Sequence, residues 1–307
     1  MPCSWRLIRP IFILTLILLG VQTAYAQTNY TWTNLGSDWG TGSNWSPSSA
    51  PNHILDAFAI FPTPDSFDPN LNAGSFSVRG ISFDNTSTGY ALSGSTGVLS
   101  IGDLGITWTG GNTTAITSNV RLLANQTWAM GSTAVTVNTG TLSGSYQLTK
   151  TGAGTLTLDS ITNTFAGSLN VQSGAVVAGG GGGSSNMVLR SVPVNLAAGT
   201  SLTSAGATPA MKIGQLTGSG SLNIGSSILS VYSSSSATSI FSGTVATGVF
   251  NLNGRGNQQL TGDTTAISGA ISVQNQATLT LSGGGNATSG VLGAVQLCAS
   301  WRFVHHG

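Results

Sequence analysis

The sequence predicts an all-β protein whose short strands coil into a solenoid, and three observations carry that prediction. Short apolar segments recur about every six to ten residues, separated by clusters of Gly, Asn and Ser, which is too dense a rhythm for helices. Within those segments an aliphatic residue alternates with Thr, Asn or another small residue, the period-two pattern of a half-buried strand; residues 148–178 show it most clearly, with Leu156 and Leu158, Leu169 and Val171, then Val176 and Val177. The third observation is composition. Charged residues make up 6% of the 307-residue chain, against about 25% in an ordinary globular protein. There is no Glu, Lys occurs only at positions 150 and 212, and Gly stands at 43. Surface helices draw on Glu, Lys and Arg, whereas Ser, Thr and Asn favour turns and stacked side-chain ladders. A β-sandwich could share the spacing, but it would show clearer hairpin turns and fewer Gly-x-Gly steps.

The same figures bound the function. Hydrophobic residues at 40% supply a core, so the chain is not expected to be disordered. A formal net charge of +1 excludes the basic footprint of a nucleic-acid binder and the polybasic face of a membrane-surface protein.

Residues 1–26 read as a signal peptide. Arg6 and Arg9 precede an apolar run over residues 11–21, and Ala24-Tyr25-Ala26 forms an A-x-A site that places cleavage before Gln27. The run is about half the ~20 residues a spanning helix requires. Cys3 leaves with this segment and Cys298 remains alone, so the exported chain can form no internal disulfide and must be stabilised by stacking.

Residues 27–74 are expected to form a Trp-rich N-terminal cap. Trp32, Trp39 and Trp45 lie close together, followed by His53, Asp56, Phe58, Ile60 and Phe61. An open solenoid end exposes apolar core and unpaired strand edges, and large rings would cover both. The same three Trp could instead present a sugar-stacking platform, since exposed indole faces suit sugar rings. Asp65, Asp68, Asn70 and Asn72 are oxygen donors suited to a hard cation, but they lack the register of a calcium loop and equally suit plain turns. No cofactor or metal is assigned.

Residues 75–285 are expected to form the repeat region. Alternating apolar segments run through 75–83, 90–92, 98–101, 104–108, 116–120, 122–123, Trp128 and 135–137. The clearest unit follows: Leu148-Thr149-Lys150-Thr151-Gly152-Ala153-Gly154-Thr155-Leu156-Thr157-Leu158, then Asn163-Thr164-Phe165-Ala166-Gly167, then Val171-Gln172-Ser173-Gly174-Ala175-Val176. These three ordered steps resemble the autotransporter-associated β-strand repeat, with Val176 where the family usually has Leu. The resemblance implies a right-handed parallel β-helix on an exported bacterial surface or secreted protein, and in that family the repeat is linked to export of the passenger across the outer membrane. Residues 214–231 and 252–281 read as weaker copies. In the second of these, Asn253-Gly254-Arg255-Gly256-Asn257 replaces the Lys-x-Gly-x-Gly step. The Gly-rich run 179–185 marks a loop or junction. Rungs of about 20–25 residues would give roughly a dozen turns.

Residues 286–307 break the pattern, crowding Cys298, Trp301, Arg302, His305 and His306 together. They are too few and too terminal for a transition-metal site, and the expected reading is an irregular tail from a truncated or frameshifted passenger. No C-terminal barrel or hydrophobic anchor is legible there.

The function expected from these features is an exported, non-enzymatic repeat protein: a stalk or adhesin-like surface module of a Gram-negative-type bacterium. Its expected partners are cell-surface glycans or matrix and the outer-membrane translocation machinery, with no small-molecule substrate evident. The alternative is a carbohydrate-binding module using Trp32, Trp39 and Trp45, or a polysaccharide-degrading enzyme on a β-helix. Glycoside hydrolysis ordinarily needs two carboxylates at a set separation. The eight acidic residues are all Asp, scattered along the chain, and only Asp65 and Asp68 are near one another in sequence.

Overall fold

Successive apolar segments return to the same side of the chain about once per turn, and each return adds a strand in parallel to the one a turn before. The computed structural model describes residues 26–62, 67–84, 89–109, 114–132, 134–138, 141–159, 164–179, 189–204, 210–233 and 237–282, and the backbone of 296–297 and 302–305. They form an all-β parallel solenoid of about nine turns. That is fewer than the dozen expected from rungs of about 20–25 residues, and the first layers are built from the long strands His53–Phe61, Phe76–Phe83 and Val98–Trp108. All but the last residue of the predicted signal peptide 1–26 lie outside the described residues, as do Asp65, the Gly run from 180 onward, Cys298, Trp301 and His306.

One rung shows the plan. Gln147–Thr151, Thr155–Asp159 and Thr164–Phe165 follow each other around three sides, and the next rung continues with Ser168–Val171 and Ala175–Ala178. Leu148 sits over Leu169, which sits over Val194 and then Leu216. On a second side Leu156, Val176, Leu202, Leu222 and Val245 form a column. On the third, Met211, Leu229, Phe250 and Ile271 do the same. All of these are buried. Period-two alternation turns one residue in and the next out, and parallel stacking at about 4.8 Å places like on like. The inward aliphatics therefore make one continuous core, and the outward positions carry polar ladders. Asn195 Nδ2 donates to Asn170 Oδ1 at 2.8 Å, and Thr217 Oγ1 donates to Asn195 Oδ1 at 3.0 Å.

The strands differ from the sequence reading in two places. Val98–Trp108 is one strand, not two: its ladder with Phe76–Phe83 is irregular between Ile101 and Gly105 and then resumes, and Gly105 takes the left-handed φ of +63° there, where a Cβ would run into the backbone of Thr127. Residues 116–120 turn a corner between Thr114–Ile116 and Asn119–Leu122. The parallel ladder also reaches into both end segments. Thr28–Trp32 pairs with His53–Phe61 and the latter with Phe76–Phe83, while the backbone of Arg302–His305 pairs with Thr278–Leu281.

Candidate functional site

The aromatic cluster of the N-terminal segment lies inside the molecule. Trp32, Trp39 and Trp45 are 1%, 0% and 1% exposed. Trp45 meets Trp32 and Trp39 edge-on with centroids 4.9 and 4.8 Å apart, and all three pack on Phe61. Each indole N–H has a backbone acceptor: Trp32 Nε1 donates to the Phe67 carbonyl, Trp39 Nε1 to Pro51 and Trp45 Nε1 to Trp39. A sugar-stacking platform needs an accessible ring face, and these rings have none, so the carbohydrate reading of Trp32, Trp39 and Trp45 does not fit their placement. The rings instead begin a column. Phe61, Phe83 and Trp108 occupy the same register in three consecutive layers, stacked with centroids 5.0 and 5.6 Å apart and planes within 15° and 13°; Trp128 then packs against Trp108.

The oxygen-rich segment serves turns. Asp68 Oδ1 accepts from the Ala91 N–H, Asn70 Oδ1 accepts from the Asn72 N–H, and Asn72 Nδ2 donates to Asp38 Oδ1. Asp38 also accepts from the Gly40 N–H and the Thr41 hydroxyl. Among the described residues no three His, Cys, Asp or Glu side chains gather closely enough to hold a metal ion.

An ionisable side chain inside the core was not assigned a role from the sequence. Lys150 occupies an inward position between Trp128 in the rung before and Val171 in the rung after, and it is fully buried. Its ammonium donates to three backbone carbonyls: Gly152 at 2.6 Å, Gly154, and Ser173 of the next rung at 2.8 Å. The backbone is shaped to bring them together. Gly152 and Gly174 adopt φ of +78° and +72°, where side chains are disfavoured, and a Cβ on Gly174 would collide with the Lys150 ammonium and with the carbonyls of Gly152 and Gly154. Gly154 N–H in turn donates back to the Met130 and Gly131 carbonyls, so three rungs meet at this turn. Burial lowers the Lys150 pKa from 10.5 to about 8. The signal was present in the sequence: alternation that turns Leu148 inward turns Lys150 inward as well.

Gln258 is a second inward polar residue, fully buried. Its Nε2 donates to the carbonyls of Leu216 and Ser239, and its Oε1 accepts from the Leu216 N–H. Leu216–Gly218 and Thr238–Phe241 pair only at Gly218 and Phe241, so this amide substitutes for a missing peptide in the ladder. On the outside, an open groove of about 370 Å³ is lined by Thr203, Ser204, Asn223 and residues 224–227.

Comparison with curated proteins and with solved structures finds no match to this chain. Residues 148–178 match the family model of the passenger-associated-transport-repeat. That segment contains Lys150, its turn and the rung that follows, and with the parallel solenoid around it the chain fits an autotransporter passenger-type repeat protein.

Proposed function

We propose that this protein is the structural, non-enzymatic passenger portion of an exported surface protein, a stalk or adhesin-like module carried to the outside of a Gram-negative-type cell. The observation that carries the reading is the passenger-associated-transport-repeat at 148–178 set within a continuous parallel stack. A stack of this kind gains length by adding rungs and presents repeated outward side chains along each side, as a stalk requires. Its outward rows of Thr, Ser and Asn suit weak, repeated hydrogen bonding to a polymeric glycan or matrix. Export would engage the outer-membrane translocation machinery while the chain is unfolded, with the rungs stacking afterwards.

The test is surface display. Residues 27–282 are placed between a bacterial signal peptide and an outer-membrane barrel, with and without deletion of 148–178. The reading expects the intact insert to reach the surface as a protease-resistant rod and the deletion to lower display. Equal display of both, or turnover of any member of a polysaccharide panel by the purified insert, would overturn it.

A further inference from the structure

We propose that the turn formed by Gly152, Gly154 and Ser173 is a primary-ammonium site, filled in cis by Lys150, and that filling it locks two successive rungs in register. An ammonium has three N–H donors and no acceptor, and the site offers three carbonyl acceptors and no donor. Two of the carbonyls belong to the turn after the Lys150 strand and the third to the turn after the Ser168–Val171 strand, one rung on. The three converge only when Lys150 stands over Val171. A slip of one residue would turn the lysine to solvent and leave the carbonyls unpartnered. Adjacent inward positions are filled by aliphatic or aromatic groups, whose packing carries no hydrogen bond, so the directional contact of this rung pair lies at the ammonium.

Lysine is also the side chain for which no other group in the chain substitutes. Arginine's planar fork would need more width than the Gly174 corner allows, since even a methyl there strikes the ammonium. Because no carboxylate pairs with Lys150 among the described residues, the site recognises the cation through carbonyl dipoles alone, and it would accept a small alkylammonium when the lysine side chain is removed.

Three measurements test this. In the first, the native chain is labelled with acetic anhydride and digested; Lys212, which is partly exposed, is the internal reference. Lys150 is expected to react at least ten-fold more slowly than Lys212, with the difference lost in urea, and equal native rates would overturn the proposal. In the second, amide exchange is compared for the native chain and K150M, which keeps the length of the side chain without its donors. Protection at Gln172 and Ala175, whose N–H groups bond to Lys150 and Gly154, is expected to fall at least ten-fold; unchanged protection would overturn it. In the third, K150A is given methylammonium chloride or tetramethylammonium chloride at equal ionic strength. Methylammonium, which carries three N–H donors, is expected to restore protection, and tetramethylammonium, which has none, is not. Equal effects of the two salts would reduce the site to a buried side chain and reject ammonium recognition.

Discussion

Lys150 places a positive charge in a core built from Leu, Val and Trp, and the charge has two opposed consequences. Losing water disfavours the ammonium and lowers its pKa to about 8. The three carbonyls favour the ammonium, each bond to a charged donor contributing about 1.5–3 kcal/mol. The sign of the pH dependence follows from the depressed pKa. Below pH 8 the lysine is protonated in both states and its desolvation cost is fully present. Between about pH 8 and 10.5 the unfolded chain still holds the proton while the folded chain has released it, so stability rises with pH across that window. The rise is bounded at about 3 kcal/mol, the shift converted at ~1.4 kcal/mol per pKa unit. The strands packed on Lys150, namely Gln126–Met130, Ser168–Val171 and Ala175–Ala178, carry no ionisable side chain, and Thr155–Asp159 carries only Asp159, at its partly exposed end. Urea unfolding at pH 7.5 and 10 is therefore expected to show native stability increasing relative to K150M; a parallel pH dependence in the two proteins would contradict the buried ammonium. Gly174 supplies the companion prediction. G174A forces a Cβ into the ammonium and into two carbonyls at a positive φ, and it is expected to cost at least ~2 kcal/mol in the same unfolding measurement.

At the scale of elements, strand alternation was legible because it is a local pattern: each inward aliphatic can be counted off along its own segment. The turns near Gly152 and Gly174 were legible for the same reason. The placement of Trp32, Trp39 and Trp45 was legible only as alternatives, because three rings spaced unevenly define no face until the Thr28–Trp32 strand and the chain through Trp45–Ser46 fold over Phe61. The roles of Lys150 and Gln258 needed three-dimensional register, since their partners lie one and two rungs away: Ser173 is 23 residues from Lys150, and Leu216 is 42 from Gln258. Gln258 gives the prediction for this scale. Q258L keeps an apolar fill but leaves the Leu216 N–H and C=O without their side-chain partners, and a buried polar group left unpaired costs about 1–3 kcal/mol. Hydrogen exchange is expected to localise the loss to the Leu216–Gly218 and Thr238–Phe241 strands; a loss spread evenly over the stack would show that Gln258 is only filling space.

Taken as a whole, the molecule is a row of rungs in which each contacts mainly its neighbours, so its cooperativity depends on how alike the neighbouring interfaces are. They are not alike. The N-terminal layers bury Trp32, Trp39, Trp45, Phe61, Phe83, Tyr90, Trp108 and Trp128 in one connected column, and each well-oriented ring pair adds about 0.5–1.5 kcal/mol beyond area burial. The later layers rest mostly on single Leu, Val and Ile side chains per side, with Gln258 repairing a short ladder. The stack is therefore expected to unfold from its later rungs first. Denaturant titration of residues 27–282 separates the two blocks because, among the described residues, every buried Trp lies at or before position 128. Far-UV circular dichroism follows all rungs, whereas Trp emission from the folded interior follows the aromatic column. The circular dichroism transition is expected to begin at lower urea than the fluorescence transition, and K150M, which sits at the junction of the two blocks, is expected to widen the gap. Coincident transitions in the native chain would mean that the rungs unfold as a single cooperative unit and that the aromatic column confers no separate stability.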